Sequence, residues 1–531
     1  MDRVSKGPVI VMLAKAKTYK DLPGYLVLSV LLFLAFLARV LWLGNIPGIN
    51  GDEAWYGLQV IGNRPISWQT PSGNPLNPFY IIPLWIFQRF FPPTFWVLRL
   101  PALLAGLLLV ILGFLLLKKR IGVVPTMIFV ILSAGLPDLI VYSRFGWDAS
   151  ETGLAMLIVF YFALSKRWWL CLAAEIGAIL VHPSNIFALV ILIVLFGVEY
   201  SKRLVWSWRN VIILGALILI SSVSGIGLLL NARRVGIPDI LTGDVASRLF
   251  SLPNWLDLFS AYGDLISGVT VYRYIAGPVS GISLALHNII VWTTLLSIVV
   301  MGCWWSIRRN NFRVVVLLGG LLASLALLYI SLGTGVLLPG QERYSQFLIV
   351  PTLLLISLCI NEIFLQSKSQ WQPIGLALSI AFLGLFSLAT NYFIPLFITG
   401  GQSHRTFYTG PVEPKAAVAA IILNENPVGD QTTILADDWW IAKPVQYLLS
   451  EHPEFDVLEY DRSSLDITTV EDILIKGGYV VGFNQGLLDT TIMQKIQNPT
   501  LVRIEVFGYS DKPVIIIWQV LPFPLPIRAK H

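Results

Sequence analysis

The fold class predicted by this sequence is a multi-spanning α-helical membrane protein followed by a soluble α/β domain. Of its 531 residues, 56% are hydrophobic and only 13% charged. The mean hydropathy is +0.73, far outside the usage of soluble globular chains. Apolar runs of roughly 17–25 residues, the length a bilayer requires, recur until about residue 399. There the charge balance changes sign. Residues 1–399 carry 27 Lys and Arg against 15 Asp and Glu, whereas residues 400–531 carry 10 against 16. A basic apolar part and an acidic mixed part read as two domains, 1–399 and 400–531. The positive charges stand in short clusters between apolar runs, so nucleic-acid binding is not implied.

The apolar runs lay out as about eleven spans. They fall near 23–43, 94–117, 121–141, 149–165, 168–182, 185–199, 210–230, 286–306, 314–333, 346–365 and 374–397. The first is too long for a signal-peptide core and reads as an uncleaved anchor. The stretch 78–91 is short and ends in Arg89 and Pro92-Pro93, which suits an interfacial helix better than a span. With the N-terminus in the cytoplasm, 17 of the 27 basic residues fall in inner loops, in clusters such as Lys118-Lys119-Arg120 and Arg308-Arg309. An odd number of spans then puts residues 400–531 outside the cell membrane. Cys171, Cys303 and Cys359 all lie in apolar runs and read as buried small hydrophobes.

The outer side collects the chemically loaded loops. Asn50-Gly51-Asp52-Glu53 follows the first span directly; charges so close to a bilayer are costly and are usually there for function. The same residues also suit a helix N-terminus, with Asn50 or Asp52 as its cap. Residues 142–148 bring Arg144 and Asp148, and residues 231–285 form a long loop with Arg233, Arg234, Asp257, Asp264, Tyr272, Arg273 and Tyr274. Further candidates are Arg64, His182 at a span end, and Glu342-Arg343-Tyr344 at the mouth of a late span. Asp148 with Glu151 also fits a simple helix start, His182-Pro183 a helix stop, Arg343-Tyr344 an interfacial anchor, and Arg233-Arg234 a headgroup contact. Taken together, acids and arginines converge on one side of a helical bundle. Arginine forks suit phosphate oxygens, and a carboxylate suits the proton of a hydroxyl acceptor.

The tail alternates strand patterns at 432–436, 455–460, 479–483, 501–507 and 514–520 with helical ones at 414–424, 439–449, 470–475 and 488–496. That alternation predicts a small α/β layered domain without a glycine-rich phosphate loop. Asp437-Asp438 has the look of a metal-binding pair, but it follows a strand and opens a helix, where N-capping accounts for it.

In the order of these motifs the chain resembles the GT-C superfamily of membrane glycosyltransferases, near the protein O-mannosyltransferases and bacterial aminoarabinose transferases. The resemblance covers roughly residues 20–400. It rests on Gly51-Asp52-Glu53-Ala54 after the first span, Trp147-Asp148 before the fourth, Arg99-Leu100-Pro101 opening the second, and Glu342-Arg343-Tyr344 late in the chain. His182 stands where the family often has a basic residue, which is a departure. The resemblance implies transfer of a sugar from a polyprenyl-phosphate carrier to a lipid, glycan or protein acceptor on the outer face, with inversion. It makes Asp52 the general base and lets Glu53 and Asp148 shape the acceptor and sugar site. Arg343 and Tyr344, with Arg233 and Arg234, would hold the donor phosphate, and Arg64, Arg144, His182 and Glu342 remain further site candidates. Some relatives use a divalent metal and others do not, so the cofactor stays open. The rival expectations are a transporter or flippase of lipid-linked sugars and a non-catalytic scaffold. The sequence shows no internal repeat, and its acids lie at span ends, neither of which is the pattern of transporters.

Overall fold

The computed structural model describes residues 22–62, 65–71, 73, 75–201, 208–234, 251–367, 369–426, 431–460, 467–496, 498, 500–510 and 512–521. Most of it is helix. The helices of the first part are α1 (Leu22–Val40), α2 (Gly51–Val60), α3 (Pro78–Gln88), α4 (Phe95–Leu117), α5 (Val123–Gly135), α6 (Pro137–Tyr142), α7 (Thr152–Leu164) and α8 (Trp168–Val181). They continue with α9 (Ala188–Ser201), α10 (Trp208–Arg234), α11 (Leu252–Ser267), α12 (Gly281–Arg308), α13 (Arg313–Leu332), α14 (Ile349–Phe364), α15 (Trp371–Leu388) and α16 (Ile394–Thr399). Among the described residues six helical segments are long and apolar enough to cross a membrane: Phe95–Leu117, Pro183–Tyr200, Gly281–Arg308, Arg313–Leu332, Glu342–Phe364 and Trp371–Thr399. Shorter apolar helices fill the positions of most other expected spans.

One expected span is broken. The run 121–141 divides into α5 and α6 at Pro137, because the residue before a proline is pushed out of the helical region; Leu136 has φ −71° and ψ 121°. The break brings Asp138 into the first turn of α6, fully buried. The stretch 78–91 holds α3, with Tyr80, Ile81 and Leu84 buried and Phe79, Ile82, Trp85 and Ile86 exposed. The long loop expected over 231–285 holds α11 and a π-helical turn, Tyr272–Ala276. Cys171 and Cys359 are buried and Cys303 is half-buried; all three are free thiols.

Beyond α16 come α17 (Pro414–Glu425), β1 (Thr432–Ala436), α18 (Trp439–Leu448), β2 (Phe455–Glu459), α19 (Ile467–Ile475), β3 (Tyr479–Phe483), α20 (Leu487–Lys495), β4 (Leu501–Phe507) and β5 (Pro513–Val520). The strands form one sheet in the order β2-β1-β3-β5-β4, the first three parallel and the last two antiparallel to their neighbours. β3 is buried at every position, as a central strand covered on both faces should be. α17 and α18 pack on one face through Val418, Ile441 and Val445. α19 and α20 pack on the other through Ile473, Leu488 and Ile492. Asp438 caps α18, accepting from the Trp440 amide at 2.9 Å, so the capping account of the acidic pair holds for Asp438.

Candidate functional site

Asn50 opens α2. Its side chain accepts from the Asp52 amide at 2.8 Å, while Glu53 reaches back to the Asn50 amide at 2.9 Å, a capping box. The same Glu53 is fully buried and also accepts from Arg99 Nε (2.9 Å), Arg99 Nη2 (3.0 Å) and the Gly146 amide (2.7 Å). Arg99, fully buried on α4, spends its remaining donors on the carbonyls of Leu43, Pro47 and Gly48. A buried ion pair offsets its desolvation only when its other donors and acceptors are satisfied, and this one meets that condition. It fastens three segments together: the end of the first helix, α2 and the 142–148 loop.

The capping leaves Asp52 on the other side of the turn, half-buried, where Trp439 of α18 donates to its Oδ1 at 3.1 Å. The helices α2 and α18 come that close because residue 51 is glycine. A Cβ there would meet Trp439 Cδ1 at 2.6 Å and the Trp439 carbonyl at 2.8 Å. Further bonds tie the same region to the sheet-bearing part. The Ile49 amide donates to Glu413, the Gly48 amide to the Phe407 carbonyl, and the Thr406 hydroxyl to the Ile49 carbonyl.

Behind Asp52 lies a second polar group. The Tyr274 hydroxyl is held well above its ordinary range by burial, with the Glu342 and Asp52 charges adding to the rise and Arg343 opposing it. Tyr274 therefore stands within the fields of all three. Its ring faces Trp147 at 6.1 Å, and the Arg343 guanidinium sits 6.0 Å from the Trp147 ring and 5.3 Å from that of Tyr344. Tyr344 in turn meets His182 edge-on at 5.3 Å. Deeper still, Asp138 accepts from Gln346 at 3.2 Å. Among the described residues, Asp138 Oδ2, Tyr142 Oη, Trp147 Nε1 and Glu342 Oε2 are buried without a hydrogen-bond partner. Beside Leu136 and Pro137 opens a cavity of about 320 Å³, lined mainly by apolar residues including Leu286, Leu295, Leu353 and Ile380.

No protein-family model matches the chain, and no curated protein matches it by sequence. Solved structures match. The crystal structure of ArnT from Cupriavidus metallidurans bound to undecaprenyl phosphate aligns with a TM-score of 0.53 at 13% identity, over 94% of this chain and 98% of that one. The fold is ArnT-like. The same protein in its apo state gives a TM-score of 0.40 at the same identity and coverage, too low to carry an argument.

Within this ArnT-like fold the candidates read from the sequence separate. Ring contacts join His182, Tyr344, Arg343, Trp147 and Tyr274, and Glu342, Arg343 and Asp52 all act on the Tyr274 hydroxyl. Glu53 stands outside this group, shut away by Arg99. Arg144 departs from the expectation of a ligand-facing cation. It is fully buried and donates to the carbonyls of Ala38 and Ile46 at 2.8 and 2.7 Å, bracing the end of α1. His182 accepts from the Ser184 amide at 3.3 Å through Nδ1, and its ring packs against that of Tyr344. Arg64 lies outside the described residues, as do the side chains of Asp148, Arg233 and Arg234.

Sequence reasoning missed Trp439, Asp138 and Gln346. Asp138 carried a signal, a carboxylate inside an apolar run. Trp439 carried none, standing 387 positions from Asp52. Among the described residues no three His, Cys, Asp or Glu side chains gather into a metal-binding set.

Proposed function

We propose that this chain is a glycosyltransferase. It takes a sugar from a polyprenyl-phosphate carrier and passes it, with inversion at the anomeric carbon, to an acceptor hydroxyl at the outer face of the cell membrane. The observation that carries the reading is the cluster of buried polar atoms without a partner on Asp138, Tyr142, Trp147 and Glu342, with the Arg343 guanidinium over the Trp147 ring and an apolar cavity beside the neighbouring Leu136 and Pro137. An isoprenoid chain suits the apolar cavity, sugar hydroxyls suit the unsatisfied polar atoms, and a phosphate suits the guanidinium. The fold shared with ArnT, whose crystal structure holds undecaprenyl phosphate, supports the same carrier class here.

In this mechanism Asp52 takes the proton of the acceptor hydroxyl as its oxygen attacks the anomeric carbon. The bond from that carbon to the phosphate oxygen breaks on the opposite side, and the electron pair leaves on the phosphate. Arg343 and Tyr344 hold that phosphate, with Arg233 and Arg234 as further donors and Asp148 at the sugar. Glu53 positions Asp52 through the capping box and touches no substrate. The membrane part is about eleven spans with its N-terminus in the cytoplasm, following the clustering of Lys and Arg. Residues 400–531 then form the extracytoplasmic domain.

The test is Asp52→Asn in the purified chain in nanodiscs, supplied with a labelled polyprenyl-phosphate sugar. Asn caps and hydrogen-bonds much as Asp does but cannot take the proton. Transfer should fall roughly 10²–10⁴-fold, with expression and donor binding retained. Near-normal transfer by a well-folded variant rules out Asp52 as the base.

A further inference from the structure

The sheet contains a feature that the transfer mechanism does not use. β1 leads into α18 on one face of the sheet, and its neighbour β3 leads into α20 on the other. Two adjacent parallel strands whose following helices lie on opposite faces leave a crevice at their carboxyl ends, the place where open α/β sheets bind ligands. Here that crevice is a real cavity of about 400 Å³. Asp437 and Asp438 come from the end of β1, Phe483 and Gly486 from the end of β3, and Trp440 from α18. The loop that follows α16 adds His404 and Arg405.

The lining has a definite chemical character. The two carboxylates accept hydrogen bonds, the Arg405 guanidinium donates them, and the His404 ring can do either. Asp437 is carried into the crevice by its amide bond to the Val481 carbonyl at 2.8 Å. The Trp440 ring lies 5.1 Å from that of His404, and the Arg405 guanidinium 6.0 Å from the Phe483 ring. Residue 486 has no room for a side chain, since a Cβ would stand 2.7 Å from Asp437 Oδ2. A phosphate or nucleotide would meet two carboxylates, which repel it. An extended peptide pairs with a sheet edge, but the edges here are β2 and β4, away from the crevice. A neutral polyhydroxylated ligand fits, because planar carboxylate and guanidinium groups bind vicinal hydroxyls and aromatic faces cover the C–H faces of a pyranose.

The crevice is also linked to Asp52. Asp438 caps α18, and the next residue, Trp439, donates to Asp52. We infer that the crevice at the carboxyl ends of β1 and β3 is the acceptor subsite and that the acceptor is a saccharide, whose reacting hydroxyl is presented towards Asp52. This rests on the transferase reading for its role but not for the binding itself.

The first experiment therefore measures binding alone, by saturation-transfer NMR on the full chain in sugar-free nanodiscs. The probes are hexose, N-acetylhexosamine and pentose oligosaccharides. Wild type should show saturation transfer, and Arg405→Ala and Asp438→Asn should each weaken binding about ten-fold. Asn at 438 keeps the helix cap, so loss of fold does not account for its effect. No saturation transfer to any saccharide, or wild-type affinity in both variants, overturns the inference.

The second experiment adds the labelled donor and offers a free oligosaccharide, nanodiscs containing a diglucosyl lipid, or a Ser/Thr-rich peptide. Label in the free sugar or in the glycolipid supports the subsite and identifies the source. Label in the peptide alone overturns it while leaving the transferase reading intact. Saccharide binding with no transfer to any acceptor upholds the crevice as a saccharide site and defeats the transferase reading.

Discussion

Two buried polar groups lie at the sheet-bearing end of the bundle, and they are built in opposite ways. Around Glu53 both carboxylate oxygens are engaged, and Arg99 reaches the 43–48 segment through three backbone carbonyls. Around Glu342 and Asp138, four buried polar atoms lack a partner among the described residues. Buried polar groups in folded proteins are nearly always satisfied, and those that are not call for a reason. On the proposed reading, charged side chains in this apolar chain have two uses, one as a fastener complete in itself and one as a receptor completed by the substrate. Asp52 and Glu53 are chain neighbours, yet they fall on opposite sides of that division.

The sharpest way to break the comparison is to remove Arg99. Arg99→Ala leaves the Glu53 carboxylate buried without its counter-charge, a loss of about 3–5 kcal/mol in buried pairs. Expression and thermal stability in nanodiscs should collapse, and donor binding should be lost only as a consequence. A variant that folds with normal stability would mean that the knot around Glu53 is not a fastener.

The open group should respond in the reverse sense. Asp138→Asn and Glu342→Gln keep the shape and replace a buried carboxyl one of whose oxygens lacks a partner, so thermal stability should hold or rise slightly. Transfer should fall about 10–10²-fold, as expected when groups that meet polar substrate atoms lose about 1.4–2.7 kcal/mol of that interaction. Loss of stability with unchanged transfer in the folded fraction would move this group into the fastener class.

Most of the architecture was legible because it depends on local patterns. Apolar runs marked helices, and alternation marked β1, β3 and β4 at the observed bounds. The Asn50 and Asp438 caps followed from residue type and position. The pairings that make the site were not legible. Glu53 and Arg99 are 46 positions apart, and nothing in either neighbourhood names the other, although an arginine within an apolar run implies a partner somewhere. Arg144 misled for the same reason: next to an aromatic loop it reads as a ligand-binding cation, but its donors go to the Ala38 and Ile46 carbonyls.

The smallest expected effect tests the link between the two parts of the chain. Trp439→Phe removes one indole N–H, the donor to Asp52 Oδ1, and keeps an aromatic ring beside Trp55, whose centroid lies 6.4 Å from that of Trp439. Asp52 is half-buried, so water can replace part of the lost bond, and the cost should be about 0.5–1.5 kcal/mol. That predicts a fall in kcat/KM of roughly two- to ten-fold, well short of Asp52→Asn. The direction of the pH dependence separates the two roles open to Trp439. A donor to the charged carboxylate favours the form that accepts a proton from the acceptor, so removing it should move the acid limb of the pH–rate profile to higher pH. If Trp439 only docks α18 onto α2, the variant should lower thermal stability and leave that limb in place. Movement of the limb with stability retained would make Trp439 a positioning residue for the base, supplied by the sheet-bearing part to a carboxylate on the helical one.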